Sequence, residues 1–299
     1  MRPKFSCLTL SMLTLVVASS APAPVATLAQ VPRGPGCDQT CLSEAMNKFV
    51  SAMTAHKPET VPLTEGSEIR QNASVVPLAA TTWKDVKTVR SILTFGDPIT
   101  GNVVSRAGVE LSDGKPAYIS TRLKVVAAGR VSDVEISADT SARVVGAYVW
   151  NLGPEMAAVL PPDQRMTRVA LAALAARYFQ SLSTHVAVAT DFDPRCDRFH
   201  SGQRITNVSS NTVESGPART CVSSVEGNVP WGPNTEARFP VVDVERGLVF
   251  GVTLLHYLSG PTPRQMYVSE VFKVVGGRIV RIDNIGLMLE GMATLGFVH

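Results

Sequence analysis

The run from Tyr267 to Val275 alternates like a strand, so Val268, Glu270, Phe272 and Val274 share one face and a single carboxylate sits in an apolar row. Burial disfavours the charged form of such a group and moves its pKa toward neutrality, which is what a proton shuttle needs. In the preceding run, Leu248, Phe250, Val252, Leu254 and His256 share a face. The turn Ser259-Gly-Pro-Thr-Pro263 predicts a hairpin that brings His256 to within a rung or two of Glu270. His256 and Glu270 are therefore the candidate catalytic pair; the competing reading is a satisfied structural ion pair. Tyr178 continues a helical stripe and reads as core before it reads as a donor, and Asp193, Arg198 and His200 read as a solvated loop beyond that helix. Asp243, Glu245 and Arg246 read as an exposed turn before Gly247.

Several reaction classes lack their signatures. The chain has no Gly-x-Ser-x-Gly elbow, no His-Glu-x-x-His helix, no phosphate-binding glycine loop and no dinucleotide fingerprint. Redox cofactors and phosphoryl transfer are therefore not expected, and the expectation is no cofactor and no metal. Lysine and arginine are scattered and aromatic residues make up 6% of the chain, so neither a nucleic-acid groove nor a basic membrane patch is expected.

The elements that position these residues emerge when the chain is laid on itself at a period of about 149 residues. Tyr118-Ile-Ser-Thr-Arg-Leu-Lys-Val-Val, followed by Gly129-Arg130, matches Tyr267-Val-Ser-Glu-Val-Phe-Lys-Val-Val, followed by Gly277-Arg278. One inserted residue at Ala127 or Ala128 keeps the two in register. Upstream, Val104 to Val109 parallels Val244 to Val249. The position of Glu270 is Thr121 in the first copy, so the buried carboxylate belongs to the second copy alone. Each copy opens with an apolar stripe at helical spacing: Leu42, Met46, Phe49, Val50 and Met53 after an Asp38 or Thr40 cap, then Leu171, Leu174, Tyr178 and Leu182 after Pro161-Pro162-Asp163. Strands follow in each. This order predicts an α+β fold of two tandem cone-shaped domains, each with helices packed on a curved antiparallel sheet. The domains span 31–154 and 155–299, with Ala142 to Trp150 continuing the first sheet and Trp83 and Trp231 as packing lids.

The first thirty residues open with Arg2 and Lys4, run through apolar Leu8 to Ala18, and close on small residues and prolines. That order predicts a cleaved export signal over 1–30, since the apolar part falls short of the ~20 residues of a spanning helix. A secreted or periplasmic location follows, with no membrane association after cleavage. Loss of Arg2 and Lys4 takes the formal charge from +3 to +1. Four cysteines remain, and an even count in an oxidising compartment predicts two disulfides. Of three pairings, Cys37 with Cys41 and Cys196 with Cys221 is favoured because it joins neighbours across polar, turn-rich sequence. Asn72-Ala-Ser74 and Asn207-Val-Ser209 are glycosylation sequons.

The late hairpin Glu270-x-Phe-Lys-Val-x-Gly-Gly-Arg-Ile279 resembles the nuclear-transport-factor-2-like superfamily, which includes ketosteroid isomerases, scytalone dehydratases and SnoaL-like polyketide cyclases. The match lies in Ser269 to Asp283, with a weaker echo in Ser120 to Glu135. Cys196-x-Arg198, the Glu236 to Leu248 run and the closing strand are similar to secreted two-copy members from fungi and some bacteria, largely of unassigned function. The resemblance implies cones closed by helices around an apolar pocket, with Asp193, Arg198 and His200 near its rim and, with Tyr178, the candidate ligand contacts. A small apolar or aromatic molecule is the implied partner. The two readings of function are an acid-base isomerase, dehydratase or cyclase and a non-catalytic secreted binding or interaction module. The expected state is a monomer whose two copies pair internally.

Overall fold

The computed structural model describes residues 37–208, 219–227, 231–258 and 263–297. Helix α1 (Gln39–Thr54) starts where Asp38 accepts a hydrogen bond from the Cys41 amide at 2.9 Å, which satisfies a donor the helix cannot pair internally. The Cys37–Cys41 disulfide staples the same turn. Its buried stripe is Leu42, Met46, Phe49, Ala52 and Met53. This stripe lies on a sheet built from β1 (Leu63–Gln71), β2 (Ser74–Val75), β3 (Val86–Asp97), β4 (Asn102–Leu111), β5 (Pro116–Val125) and β6 (Val131–Asp139), ordered β2-β1-β6-β5-β4-β3.

Two short helices follow, α2 (Gly146–Val149) and α3 (Pro154–Ala157). The expectation that Ala142 to Trp150 extends the first sheet is corrected here. Val144 and Val149 instead turn into a core between the two sheets. The pattern then recurs: α4 (Arg168–Thr184), capped by Thr167, precedes β7 (Phe192–His200), β8 (Gln203–Arg204), α5 (Cys221–Glu226), β9 (Trp231–Asp243), β10 (Leu248–Tyr257), β11 (Arg264–Val275) and β12 (Arg278–Glu290). The second sheet runs β8-β7-β12-β11-β10-β9, the first order shifted by six strands. The fold is α+β, a helix on a curled sheet, twice. Each sheet differs from the expected all-antiparallel arrangement at one seam, because β1 runs parallel to β6 and β7 parallel to β12.

The predicted one-residue insertion has a structural counterpart. Gly276 and Gly277 close β11 and β12 with φ of +54° and +85°, the two left-handed positions of a tight hairpin turn that only glycine takes without strain. The β5–β6 connection is longer and folds as a turn of 3-10 helix over Ala127–Gly129. The upstream parallel of Val104 with Val244 does not hold, since Val244 to Gly247 form the β9–β10 turn. Counting from each turn, where Asp97 pairs with Asn102 and Asp243 with Leu248, Val104 corresponds to Phe250.

Each sheet buries both faces. The inner faces meet α1 and α4, and the outer faces meet each other through Phe95, Val104 and Tyr118 from one side and Phe250, Tyr267 and Ile285 from the other. Arg168 at the start of α4 pairs with Asp97 of β3 at 2.5 Å, tying the halves at one end. Among the described residues no helix is long and apolar enough to cross a membrane. The sequon residues Asn72 and Asn207 have φ of +50° and +54°, and their Nδ2 groups donate to the carbonyls of Ala138 and Cys196. Ser209 lies outside the described residues.

Candidate functional site

The inner face of the second sheet carries a polar row in an otherwise apolar surface. Strands β7, β12, β11 and β10 set His200, Asn284, Glu270 and Gly251 side by side, and Arg198 lies two residues back along β7, opposite Ile282. The same inner row in the first half is Gln71, Ile136, Thr121 and Ser105, with Ile69 in place of Arg198. There the Trp83 indole donates to Thr121 at 3.1 Å and is itself fully buried. Trp231, by contrast, packs on Tyr257 with ring centroids 5.4 Å apart.

Glu270 is fully buried. Its Oε1 accepts from Asn284 Nδ2 at 2.8 Å and from the Tyr178 hydroxyl at 3.3 Å. Its Oε2 has no hydrogen-bond partner among the described residues. Burial holds the carboxyl above its ordinary pKa, opposed by the Arg198 charge, by the bonds from Asn284 and Tyr178, and by the charge of Arg106. Tyr178 comes from the buried stripe of α4 and meets Phe272 and Phe192 with ring centroids 5.1 and 6.3 Å apart. The stripe residue read as core is thus both core and carboxylate partner. His200 is held down to about 4 by burial first, then by the nearby Arg198 and Arg143 charges, so its imidazole is neutral near pH 7.

Glycine opens space for this arrangement. A Cβ at Gly286 would come within 3.0 Å of Asn284 Oδ1 and 3.3 Å of His200 Nε2; one at Gly251 would come within 2.9 Å of the Phe179 ring.

Of the six predicted residues, four come together: Tyr178, Arg198, His200 and Glu270. His256 does not join them. It pairs with Gln265, whereas Glu270 pairs with Gly251, five residues or about 16 Å farther from the turn. An odd separation also puts His256 on the opposite face, since side chains alternate. The turn residues 259–262 themselves lie outside the described residues. Asp193 is also apart: it is half-buried at the start of β7, accepts from the Arg195 amide, and faces its own Arg195 side chain. Residues 192–200 are a strand, not the predicted loop. Both disulfides form as expected, and Cys196–Cys221 ties β7 to α5 two residues before Arg198. The Asp243 turn is less exposed than expected, because buried Asp243 accepts from Arg246 and the Lys273 ammonium caps the Arg246 carbonyl.

Sequence reasoning passed over Asn284, though Ile282, Asn284 and Gly286 alternate onto one face. It also passed over Arg106, Tyr118 and Asp283, which meet behind the site. Arg106 donates to the carbonyls of Ser269 and Asp283 at 2.6 and 3.0 Å, and the Tyr118 hydroxyl lies 2.9 and 3.0 Å from the two Asp283 carboxylate oxygens. The charge of the first half therefore reaches the strand segments that carry Glu270 and Asn284. Among the described residues no cluster of His, Cys, Asp and Glu has the makings of a metal site.

Residues 164–286 match a family model described as a domain of unknown function (DUF8021), a span running from just before α4 into β12. No curated protein is significantly similar to the chain. Solved structures with partial likeness include a protein from Sphaerobacter thermophilus, 15% identical with a TM-score of 0.28, over 38% of this chain and 93% of that one. Another is reported as "Putative Isomerase from Bacillus subtilis", 10% identical with a TM-score of 0.32, over 41% of this chain and 90% of that one. PrhC from Penicillium brasilianum is 16% identical with a TM-score of 0.25, over 33% of this chain and 81% of that one. Likeness at this level says nothing about chemistry in this chain.

Proposed function

We propose that the second half is a small-molecule pocket in which Glu270 exchanges a proton with a small apolar or aromatic compound, as a cofactor-free isomerase, dehydratase or cyclase would require. The observation that carries this reading is the fully buried Glu270, with Oε1 held by Asn284 and Tyr178 and Oε2 lacking a partner among the described residues. A carboxyl raised by burial is a competent base and a competent acid near neutral pH. Arg198 and neutral His200 are the polar contacts that would orient a ligand carbonyl or hydroxyl, in place of the His256 of the sequence-based pair. The first half, with Thr121 at the corresponding place and Trp83 packed against it, would serve as scaffold.

The wider reading is an exported protein with an export signal over 1–30 and two nuclear-transport-factor-2-like domains, 31–154 and 155–299, acting as a monomer. Two disulfides and the outer-face packing of the sheets support it.

The test is deuterium incorporation from D2O into an enolisable bicyclic ketone, 2-tetralone, by wild type and Glu270→Gln. Wild type should accelerate exchange and the variant should lose about 100-fold or more. Equal rates would overturn the catalytic role. The double hydrogen bonding of Oε1 favours a second reading, a non-catalytic binding module. In that case 2-naphthol should stabilise both proteins to the same extent, and neither should exchange the ketone protons.

A further inference from the structure

Between the two sheets, and not on the inner face that carries the Glu270 row, three guanidinium groups converge on one aromatic ring. The ring is Phe297, and the Cζ atoms of Arg122, Arg238 and Arg70 lie 4.6, 5.7 and 5.8 Å from its centroid. Cation–π contacts at this range hold a ring firmly when desolvated. Two cavities, of about 520 and 620 Å³, open beside Phe297 and share Lys124, Asp133 and Phe297 in their walls. The ring is thus a partition in a larger cleft.

That cleft keeps unspent hydrogen-bonding capacity. Arg122 is almost fully buried; its Nε donates to Glu135 at 2.8 Å and its Nη1 to Asn102 at 2.7 Å, while Nη2 has no partner among the described residues. Arg238 gives Nη2 to Glu135 at 2.7 Å, and its Nε likewise has no partner there. A buried guanidinium N–H left unpaired is costly, so the site favours any acceptor that reaches it. The 520 Å³ cavity is the cationic one: Arg122, Lys124 and Arg238 stand in its wall against Asp133, with Glu135 behind them accepting from both arginines, whereas Glu65 and Glu68 line the other cavity.

The segment that delivers the ring is anchored just short of it. The amides of Ala293 and Leu295 donate to Gln265 and Glu236 at 2.6 and 2.7 Å. Gly296 follows with φ of +64°, and Phe297 itself has φ of +52°, a conformation that a bulky side chain adopts only under constraint. Rotation at Gly296 alone would withdraw the ring and leave the anchors in place.

We infer that this cleft is a second binding site, for a planar aromatic anion, and that Phe297 fills the ring position in place of that ligand. The ring would lie among the three guanidiniums and the anion would take Nη2 of Arg122. Isothermal titration with phenylacetate tests it on the full chain. Phe297→Ala should bind phenylacetate at least about tenfold more tightly than wild type. Adding Arg122→Met should abolish the gain, and Glu270→Gln should leave it unchanged. 2-Phenylethanol, which lacks the charge, and acetate, which lacks the ring, should each bind at least about tenfold more weakly. A folded Phe297→Ala protein that binds phenylacetate no better than wild type would overturn the site; binding of 2-phenylethanol as tight as phenylacetate would overturn its selectivity for an anion. Should Phe297→Ala fail to fold, 4-fluorophenylalanine at position 297 of the otherwise unaltered chain decides. Its fluorine resonance should move as phenylacetate displaces the ring, and an unmoved resonance at saturating phenylacetate would overturn the proposal.

Discussion

Arg106, on the outer face of the first sheet, donates to the carbonyl of Ser269 at 2.6 Å, one residue before the buried carboxylate of the second half. The two halves are therefore coupled at the site and do not merely abut. Removing this guanidinium deletes the buried charged donor to the Ser269 and Asp283 carbonyls, and hydrogen bonds to charged groups are worth about 1.5–3 kcal/mol. Arg106→Met should lower the denaturant midpoint accordingly. It should also raise the titration midpoint of Glu270, because the Arg106 charge lowers it. An unchanged midpoint for both would show that the two halves are not coupled there.

The pH dependence of stability isolates Glu270. Its folded pKa is raised, so its contribution is fully present below its ordinary value of 4.5 and is lost as pH rises through the folded value. Glu270→Gln removes that loss. Relative to wild type, the variant should gain stability as pH rises above 4.5, in urea titrations at a series of pH values. A difference that stays flat with pH would mean the carboxyl titrates normally.

His200 has the opposite dependence on pH. Its folded pKa is depressed from 6.5 to about 4, so the unfolded chain binds more protons between those values and stability falls as pH drops from 6.5 toward 4. The full effect is about 3 kcal/mol. His200→Asn should flatten the acid side of the wild-type stability profile between pH 6.5 and 4. An acid limb as steep as in wild type would place the titration elsewhere.

The two disulfides should differ in worth. Cys196–Cys221 spans 25 residues and Cys37–Cys41 spans 4, and loop-closure entropy makes these worth roughly 3.5 and 2 kcal/mol. Replacing both cysteines of the first pair by alanine should therefore lower Tm more than the same change in the second. Since Cys196 lies two residues before Arg198, it should also weaken stabilisation by 2-naphthol. Equal Tm losses, with ligand stabilisation intact, would contradict a role for this bond in holding β7 to the site.

The sequence made parts of this legible and hid others for identifiable reasons. Strand alternation put Glu270 among Val268, Phe272 and Val274, and that face is buried against α4. The repeat of Tyr118 with Tyr267 marked equivalent strands, because the same inward and outward pattern had to be kept in each. What failed was distance across a hairpin. Glu270 is about twice as far from the turn as His256, so a register symmetric about that turn separates the two and sets them on opposite faces. Strand β7 read as a loop because Asp193-Pro194-Arg195 opens it, and among the described residues its long partner is the distant β12, a parallel pairing that local sequence does not announce. Asn284 and Arg106 were passed over for a related reason: each gains its role only when another strand or the other sheet is laid beside it.

The proposed function requires that Glu270 titrate inside a pocket that receives a ligand. Its most direct test is carbon-13 NMR titration of δ-labelled glutamate, with the Glu270 resonance assigned by its loss in Glu270→Gln and recorded with and without saturating 2-naphthol. A midpoint above 4.5 that shifts when 2-naphthol binds is expected. A midpoint at or below 4.5 that the compound leaves unmoved would contradict it.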